Sequence, residues 1–424
     1  MFEEVKKEFP IFEHPHNQGL IYFDNAATTQ KPRIVVEKIK EFYEKDNANV
    51  GRSSHYLAQK AGYGYEESRH AVHKFLNSKY SEEVIFTSGC TESINLIAQS
   101  LSKNSKIKGG GYWDVEAGDE VIVSELEHHS NLVPWQMLAQ ERGLILKIIP
   151  LDDKGNLDLE ALKILLTPKT KLIAVSHVSN TTGTINPIEK ICRLSKTNLV
   201  NQLNLPKEFN HTFTLIDGAQ AAGHLEVDLQ EIDCEFYTFS AHKMYGPTGV
   251  GILYGKRDLL ERMLPVNYGG GMIQKVTYQN TDFASLPEKF EAGTPNISGV
   301  IAFQEAVKFV QELNLKKVFE HETELSRYVL HGLRANFNNL RLISSPKERS
   351  GIVSFVLDSI HPFDLSEMLS QQKICIRSGH HCTQPLHDKL NLSGSCRLSF
   401  GVYNNKQEID DFFQKLQKAI NILA

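Results

Sequence analysis

The sequence has no apolar run near the roughly 18 residues that cross a bilayer, and no membrane partner is expected of it. Nor does it carry an excess of positive charge: 46 lysines and arginines against 51 aspartates and glutamates leave a net −5. Nucleic acids and anionic membranes call for a basic surface, so neither is an expected partner. Cysteine is scarce for 424 residues, with six (Cys90, Cys192, Cys234, Cys375, Cys382, Cys396) and no C-x-x-C pair. Free thiols in a reducing compartment fit this better than a disulfide framework, and the cytoplasm is the expected location. The start, Met1-Phe2-Glu3-Glu4-Val5-Lys6-Lys7-Glu8-Phe9-Pro10, lacks the zones of a secretory signal and is too acidic for an organelle transit peptide. It reads as a short amphipathic helix stopped by Pro10. No internal repeat or low-complexity tract interrupts the chain.

At this length one hydrophobic core rarely suffices, and two domains are expected. Hydrophobic residues at 41% and charged residues at 23% are those of an ordinary soluble globular protein. Short β-branched runs at 84–87, 120–124, 145–150, 172–177, 213–217, 236–240 and 249–254 alternate with amphipathic stretches at 34–45, 61–76, 91–101 and 131–142. The alternation predicts parallel βαβ units with helices on both faces of the sheet, an α/β fold whose ligands collect at the carboxyl ends of the strands. Residues 102–117 and 197–211, with their scattered Lys, Gly, Asn and Pro, read as surface insertions. After Gly269-Gly270-Gly271 the character changes. Helices at 300–313 and 318–337, a strand at 351–357 and a closing helix at 406–423 predict a second domain from about residue 299.

Two polar segments follow apolar strands. In Phe213-Thr214-Leu215-Ile216-Asp217-Gly218-Ala219-Gln220 a strand runs into a carboxylate, which by itself is an ordinary helix cap. In Phe239-Ser240-Ala241-His242-Lys243 a strand ends in a lysine, followed by a Gly/Pro turn and another apolar strand. A lysine there is costly unless it is paired, has a depressed pKa or snorkels to the surface. Together the two supply what pyridoxal-phosphate chemistry requires: an amine to form the Schiff base, and a carboxylate to keep the pyridine nitrogen protonated. Thr87-Ser88-Gly89-Cys90-Thr91 turns from a strand into a helix, where backbone N–H groups and hydroxyls form an anion site. The same spelling also serves as a plain capping sequence. Ser240 and His242, flanking the lysine, are candidates to complete a phosphate cradle.

These segments, with Tyr22-Phe23-Asp24-Asn25-Ala26-Ala27 near the start and Arg397-Leu398-Ser399-Phe400 near the end, resemble the fold-type I PLP enzymes of the class V aminotransferase group. The likeness is greatest to the SUF-type cysteine desulfurases. S-x-H-K together with D-G-A-Q is specific for the superfamily, and the match covers nearly the whole chain. It implies a PLP-dependent transferase fold of type I: a mostly parallel large domain (29–298), a smaller α+β C-terminal domain (299–424), and an N-terminal segment (1–28) packed on the latter. It also implies Lys243 as the Schiff-base lysine and Asp217 as partner of the pyridine nitrogen. Gln220 would contact the ring hydroxyl, Thr91, Ser240 and His242 the phosphate. His128, in Glu127-His128-His129-Ser130-Asn131, would stack on the ring, and Asn180 would lie near the substrate. Thr294, in Ala292-Gly293-Thr294-Pro295-Asn296, would reach the phosphate of a neighbouring subunit, which implies a homodimer. Two positions depart from the family pattern: Cys90 stands where a hydroxyl or small residue is usual, and Gly51 where many members have histidine.

Arg377-Ser378-Gly379-His380-His381-Cys382-Thr383-Gln384-Pro385 admits three readings. Adjacent His-His-Cys suits a metal poorly, because ligands normally stand two or more residues apart, and no metal is expected. A buried inert thiol is the plainer alternative. Two imidazoles and Arg377 in a Gly/Pro-bounded loop favour a reactive thiolate, and in the SUF-type family the matching loop carries the persulfide-forming cysteine, which implies that role for Cys382. Arg397 offers a planar fork for a substrate carboxylate, and the family places its carboxylate-binding arginine there. The expectation is a desulfurase converting L-cysteine to L-alanine and leaving sulfur on Cys382. That sulfur would supply iron–sulfur cluster assembly through an acceptor protein of the SufE or SufU kind. A selenocysteine lyase acting on L-selenocysteine, and a non-catalytic sulfur carrier or scaffold of the same fold, are the rival readings.

Overall fold

The computed structural model describes the chain except residues 1, 3, 52–53, 104–114, 199–210, 344–347 and 424. Most of the two expected insertions, 102–117 and 197–211, therefore lies outside the described residues.

Seven strands form the central sheet: β1 (Val84–Thr87), β2 (Glu120–Ser124), β3 (Ile145–Ile149), β4 (Thr170–Ser176), β5 (Phe213–Asp217), β6 (Phe236–Ser240) and β7 (Gly251–Gly255). Their order is β1-β7-β6-β5-β4-β2-β3. All neighbours run parallel except β7, which is antiparallel to both β1 and β6. The strands read as unbroken apolar runs because both faces are covered. Alternate side chains divide between two cores: Phe86, Ile122, Ile173, Ile216 and Phe239 enter one, and Ile85, Val121, Leu172, Leu215 and Phe236 the other. Helix α1 (Tyr56–Leu76) seals the first face, while α2 (Cys90–Ser102) and α3 (Val133–Arg142) seal the second.

Helix α4 (Ile297–Leu313) also belongs to the first core, through Val300, Phe303, Val307 and Val310. Residue 299, where a second domain is expected to begin, thus lies within α4, and Asn314, a left-handed residue, separates α4 from α5 (Leu315–Asn336). The sequence shows that α4 is apolar but not which sheet takes its apolar face. Beyond Asn314 a separate core forms around Leu325, Val329, Phe355, Leu398 and Phe412. It packs α5, α6 (Pro362–Ser370) and α7 (Lys406–Leu423) on a sheet of β8 (Leu340–Leu342), β9 (Ile352–Leu357), β10 (Arg377–Gly379) and β11 (Ser395–Ser399). This sheet is wholly antiparallel, in the order β8-β9-β11-β10.

The N-terminal segment touches both units. Val5–Glu8 forms a short 3-10 helix that ends at Phe9, ahead of Pro10; Pro10 then opens a second short helix, Pro10–Glu13, where at a first helical position its missing N–H is no loss. Just before it, Phe9 is fully buried against Tyr403, Phe309 and Tyr245, at ring separations of 4.6, 5.7 and 5.9 Å. Ile21–Tyr22 pairs in parallel with Ile374–Cys375 of the small unit. Phe9 therefore joins the large unit to the C-terminal part of the chain. Phe9→Ala should lower the unfolding free energy by about 3–5 kcal/mol, the usual cost of emptying a buried phenylalanine site. Urea denaturation measures this, and a loss below about 1 kcal/mol would contradict the packing described.

Candidate active site

The carboxyl ends of β2, β4, β5 and β6 meet the start of α2 and the β10–β11 region of the small unit around one cleft, with a cavity volume of about 250 Å³. Eleven of the twelve residues expected to form a site line it: Thr91, His128, Asn180, Asp217, Gln220, Ser240, His242, Lys243, Arg377, Cys382 and Arg397. Thr294 lies outside it, exposed on the segment before α4.

Asp217 ends β5, its Oδ1 accepting the Ala219 N–H (2.9 Å) and the Cys90 thiol (3.3 Å). The intervening Gly218 has no room for a side chain: a Cβ there would stand 2.2 Å from the Tyr237 ring. Lys243 follows β6 on a single 3-10 turn, Ala241–Lys243. Burial pushes its amine below the ordinary lysine value, and the Asp217 carboxylate opposes that shift without cancelling it. At the head of α2 the Thr91 hydroxyl meets that of Ser130 (2.7 Å), and Ser240 Oγ accepts the Cys90 N–H (2.9 Å). Gln220 donates to the Ala26 carbonyl (2.7 Å), and His242 Nδ1 lies 3.2 Å from Thr28 Oγ1. A desolvated amine, a facing carboxylate and hydroxyls at a helix start form a donor set that fits an aldehyde, a cationic ring nitrogen and a phosphate. Pyridoxal phosphate combines all three, and the residues present fit it.

His128 caps the turn after β2; its Nδ1 accepts the Ser130 N–H (3.0 Å), which leaves the hydrogen on Nε2. Burial and the nearby Lys243 push its pKa down to about 3, so the ring stays neutral. Arg397, on β11, is 2% exposed and donates to the Asn180 carbonyl and to Asp24 Oδ1, each at 3.0 Å. Its Nε has no partner. Asp24 also faces Arg377 at 4.0 Å and so holds both arginines. The Cys382 loop docks on the large unit through its backbone: the Cys382 carbonyl accepts the His129 N–H (2.8 Å), and the His381 carbonyl accepts from Asn180 Nδ2 (2.7 Å). His381 and Cys382 are both left-handed, with φ of 51° and 59°, a conformation L residues rarely hold without support. Among the described residues, no group of three or more His, Cys, Asp or Glu side chains is placed to hold a metal.

Three residues of the site were not assigned from sequence. Asp24 lay within a recognised motif, but its two arginines come from 353 and 373 positions away. Cys90, a departure from the family pattern, donates its thiol hydrogen to Asp217. Glu127, buried behind His128, accepts from Asn131 Nδ2 (2.6 Å) and the Ser176 N–H (3.0 Å).

Comparison with known proteins gives the chain a family. The aminotransferase class-V family model matches residues 21–412. The chain belongs to that family. It is 43% identical to a protein of Synechocystis named "Probable cysteine desulfurase", over 99% of this chain and 96% of the relative. A protein of the same name from Staphylococcus epidermidis is 41% identical, over 98% and 95%. Among solved structures, the cysteine desulfurase CsdA of Escherichia coli superposes with a TM-score of 0.88 at 32% identity, covering 100% of this chain and 99% of its own. The cysteine desulfurase of Thermococcus onnurineus does so at 0.87 and 35%, covering 99% and 98%.

Burial, reinforced by Asp217, lifts the Glu127 carboxyl to about 7. An acid whose pKa rises on folding stabilises the fold below its unfolded value, and that contribution is lost as the pH climbs through the folded value. Between pH 5 and 8 the cofactor-free protein should lose about 3 kcal/mol of stability relative to Glu127→Gln. Urea titrations at the two pH values measure the difference, and the same pH dependence in both proteins would contradict the assignment.

Proposed function

We infer that the chain is a pyridoxal-phosphate-dependent cysteine desulfurase that converts L-cysteine to L-alanine and keeps the sulfur as a persulfide on Cys382. The observation that carries the reading is that one cleft holds a desolvated amine, Lys243, facing Asp217, and also the buried Arg397 and the thiol of Cys382. Bound there, the cofactor supplies an aldehyde for the substrate amino group and a sink for the electron pair left when the Cα–H bond breaks. Lys243, Asp217, Gln220, Thr91, Ser240 and His242 would hold it.

Arg397 binds the substrate carboxylate, with Asp24 and Asn180 fixing its plane. Lys243, whose depressed pKa favours the neutral amine, takes the Cα proton and returns it. His128, neutral and bearing its hydrogen on Nε2, stands over the cleft as a proton donor. The Cys382 thiolate attacks the substrate sulfur; an S–S bond forms as the C–S bond breaks, and the carbon leaves with the electron pair and is protonated to alanine. L-selenocysteine carries the same groups on a better leaving atom, and relative rates on the two amino acids decide between them.

The same reading extends beyond one chain. A homodimer would bring Thr294 to the partner's phosphate, and the exposure of Thr294 outside its own cleft supports this. The exposed Tyr268, Val276 and Tyr278 in the preceding stretch add apolar surface for such a contact. Delivery of the persulfide sulfur to an acceptor of the SufE or SufU type, for iron–sulfur cluster assembly in the cytoplasm by a SUF system, is the proposed role. All six cysteines are unpaired, as a reducing compartment would have them.

Cys382→Ala should still bind L-cysteine but form alanine at least about 100-fold more slowly, as expected when the attacking group is removed from an otherwise intact site. Alanine released from cysteine in the presence of reductant is the measurement. An unchanged rate would remove Cys382 from the chemistry.

A further inference from the structure

His381 shares the active-site cleft with Cys382, yet the reaction as derived gives it no part. The residue is 4% exposed and is one of those lining the cleft, and its Nδ1 is a buried polar atom with no hydrogen-bond partner. The other nitrogen, Nε2, lies 2.9 Å from Ser395 Oγ, and that hydroxyl lies 3.0 Å from His387 Nε2. His387 is fully buried beneath the loop, with ring centroids 5.5 Å from His380 and 5.7 Å from His381.

The direction of this chain follows from its far end. His387 Nδ1 stands 3.1 Å from the Thr383 carbonyl, which can only accept, so Nδ1 carries the hydrogen. Burial holds His387 below the ordinary histidine value and keeps it neutral, so its Nε2 is bare. Ser395 has one hydrogen and donates it there, which leaves its oxygen to accept from His381 Nε2–H. Burial and then Arg397 push His381 down to about 2, so it too is neutral. Its hydrogen is on Nε2, and Nδ1 is a bare acceptor.

We propose that His381 is a substrate-recognition residue whose Nδ1, kept unprotonated by the Ser395–His387 chain, accepts the S–H hydrogen of the incoming amino acid and selects ligands with a free thiol. This rests on the desulfurase reading. Of the polar groups of such a ligand, the carboxylate belongs to Arg397, whose Nε is a second buried atom without a partner in the same cleft. The amino group belongs to the aldehyde beside Lys243. The side-chain sulfur must face Cys382, and the residue next to Cys382 is His381. The Asn180 bond to the His381 carbonyl fixes the peptide from which the ring projects. His387 and Ser395 act through His381 and are positioning residues.

The test uses cofactor-loaded protein carrying Cys382→Ala, titrated calorimetrically with L-cysteine, S-methyl-L-cysteine and L-alanine. Adding His381→Phe should weaken L-cysteine about tenfold, the loss of one buried hydrogen bond, and change the other two less than twofold. Adding His387→Leu instead keeps the His381 ring but frees the Ser395 hydrogen to turn toward His381 Nε2. It should produce the same selective loss, which also covers failure of the first variant to fold. An unchanged affinity for L-cysteine, or a parallel loss for all three ligands, overturns the proposal alone. A Cys382→Ala parent that binds none of the three overturns the desulfurase reading along with it.

Discussion

Everything in the cleft depends on holding a lysine amine and an aspartate together where water is largely excluded. Asp217 closes β5 opposite Thr238 of the parallel neighbour β6, and Lys243 arrives one turn after β6 ends. The two groups are 26 positions apart in the chain and meet at the carboxyl ends of two neighbouring central strands. Placing a charged amine there costs more than the carboxylate returns, and the net effect lowers the lysine pKa. A neutral amine at ordinary pH is what both attachment to an aldehyde and proton transfer require. The residue that follows Asp217 is a glycine because the Tyr237 ring leaves no room for a Cβ there.

The second constraint is the attachment of the small unit. Asp24, from the N-terminal segment, holds Arg397 and Arg377, which come from two strands of the antiparallel sheet. Asn180, from the large unit, binds the Arg397 guanidinium through its carbonyl and the Cys382 loop through its amide. One residue thus sets the spacing between a carboxylate site and the sulfur acceptor. The loop's two left-handed residues are stabilised by bonds to the large unit on one side and by the His381–Ser395–His387 chain on the other. A thiol that must reach a bound sulfur and then present it elsewhere is therefore carried on a strained but well-supported turn.

Much of the large sheet was legible in the sequence because its strands are buried on both faces and spell continuous apolar runs; five of the seven expected runs match the observed strands to within a residue at each end. The antiparallel direction of β7 was not legible, since a buried strand has the same composition in either orientation. Nor was the ownership of α4, whose apolar residues suit either unit. The helix ahead of Pro10 was legible, but not the second one that Pro10 opens, because proline serves equally to end a helix and to begin one. At the site, Lys243, Asp217 and Cys382 stood out through local motifs. Asp24, Glu127 and His387 did not, because their significance lies in partners distant in sequence or in a hydrogen-bond direction that spacing cannot reveal.

The central claim is that Lys243 is the amine that carries the cofactor. A rival lies beside the cleft: Lys31 is half-buried, with its pKa lowered to about 7, and its Nζ lies 3.0 Å from the carbonyl of His242, a cleft residue. Reconstitution with pyridoxal phosphate, borohydride reduction and peptide mass spectrometry would distinguish them. The account predicts a single stoichiometric pyridoxyl adduct on the peptide carrying Lys243. An adduct on Lys31, or none at all, would contradict it.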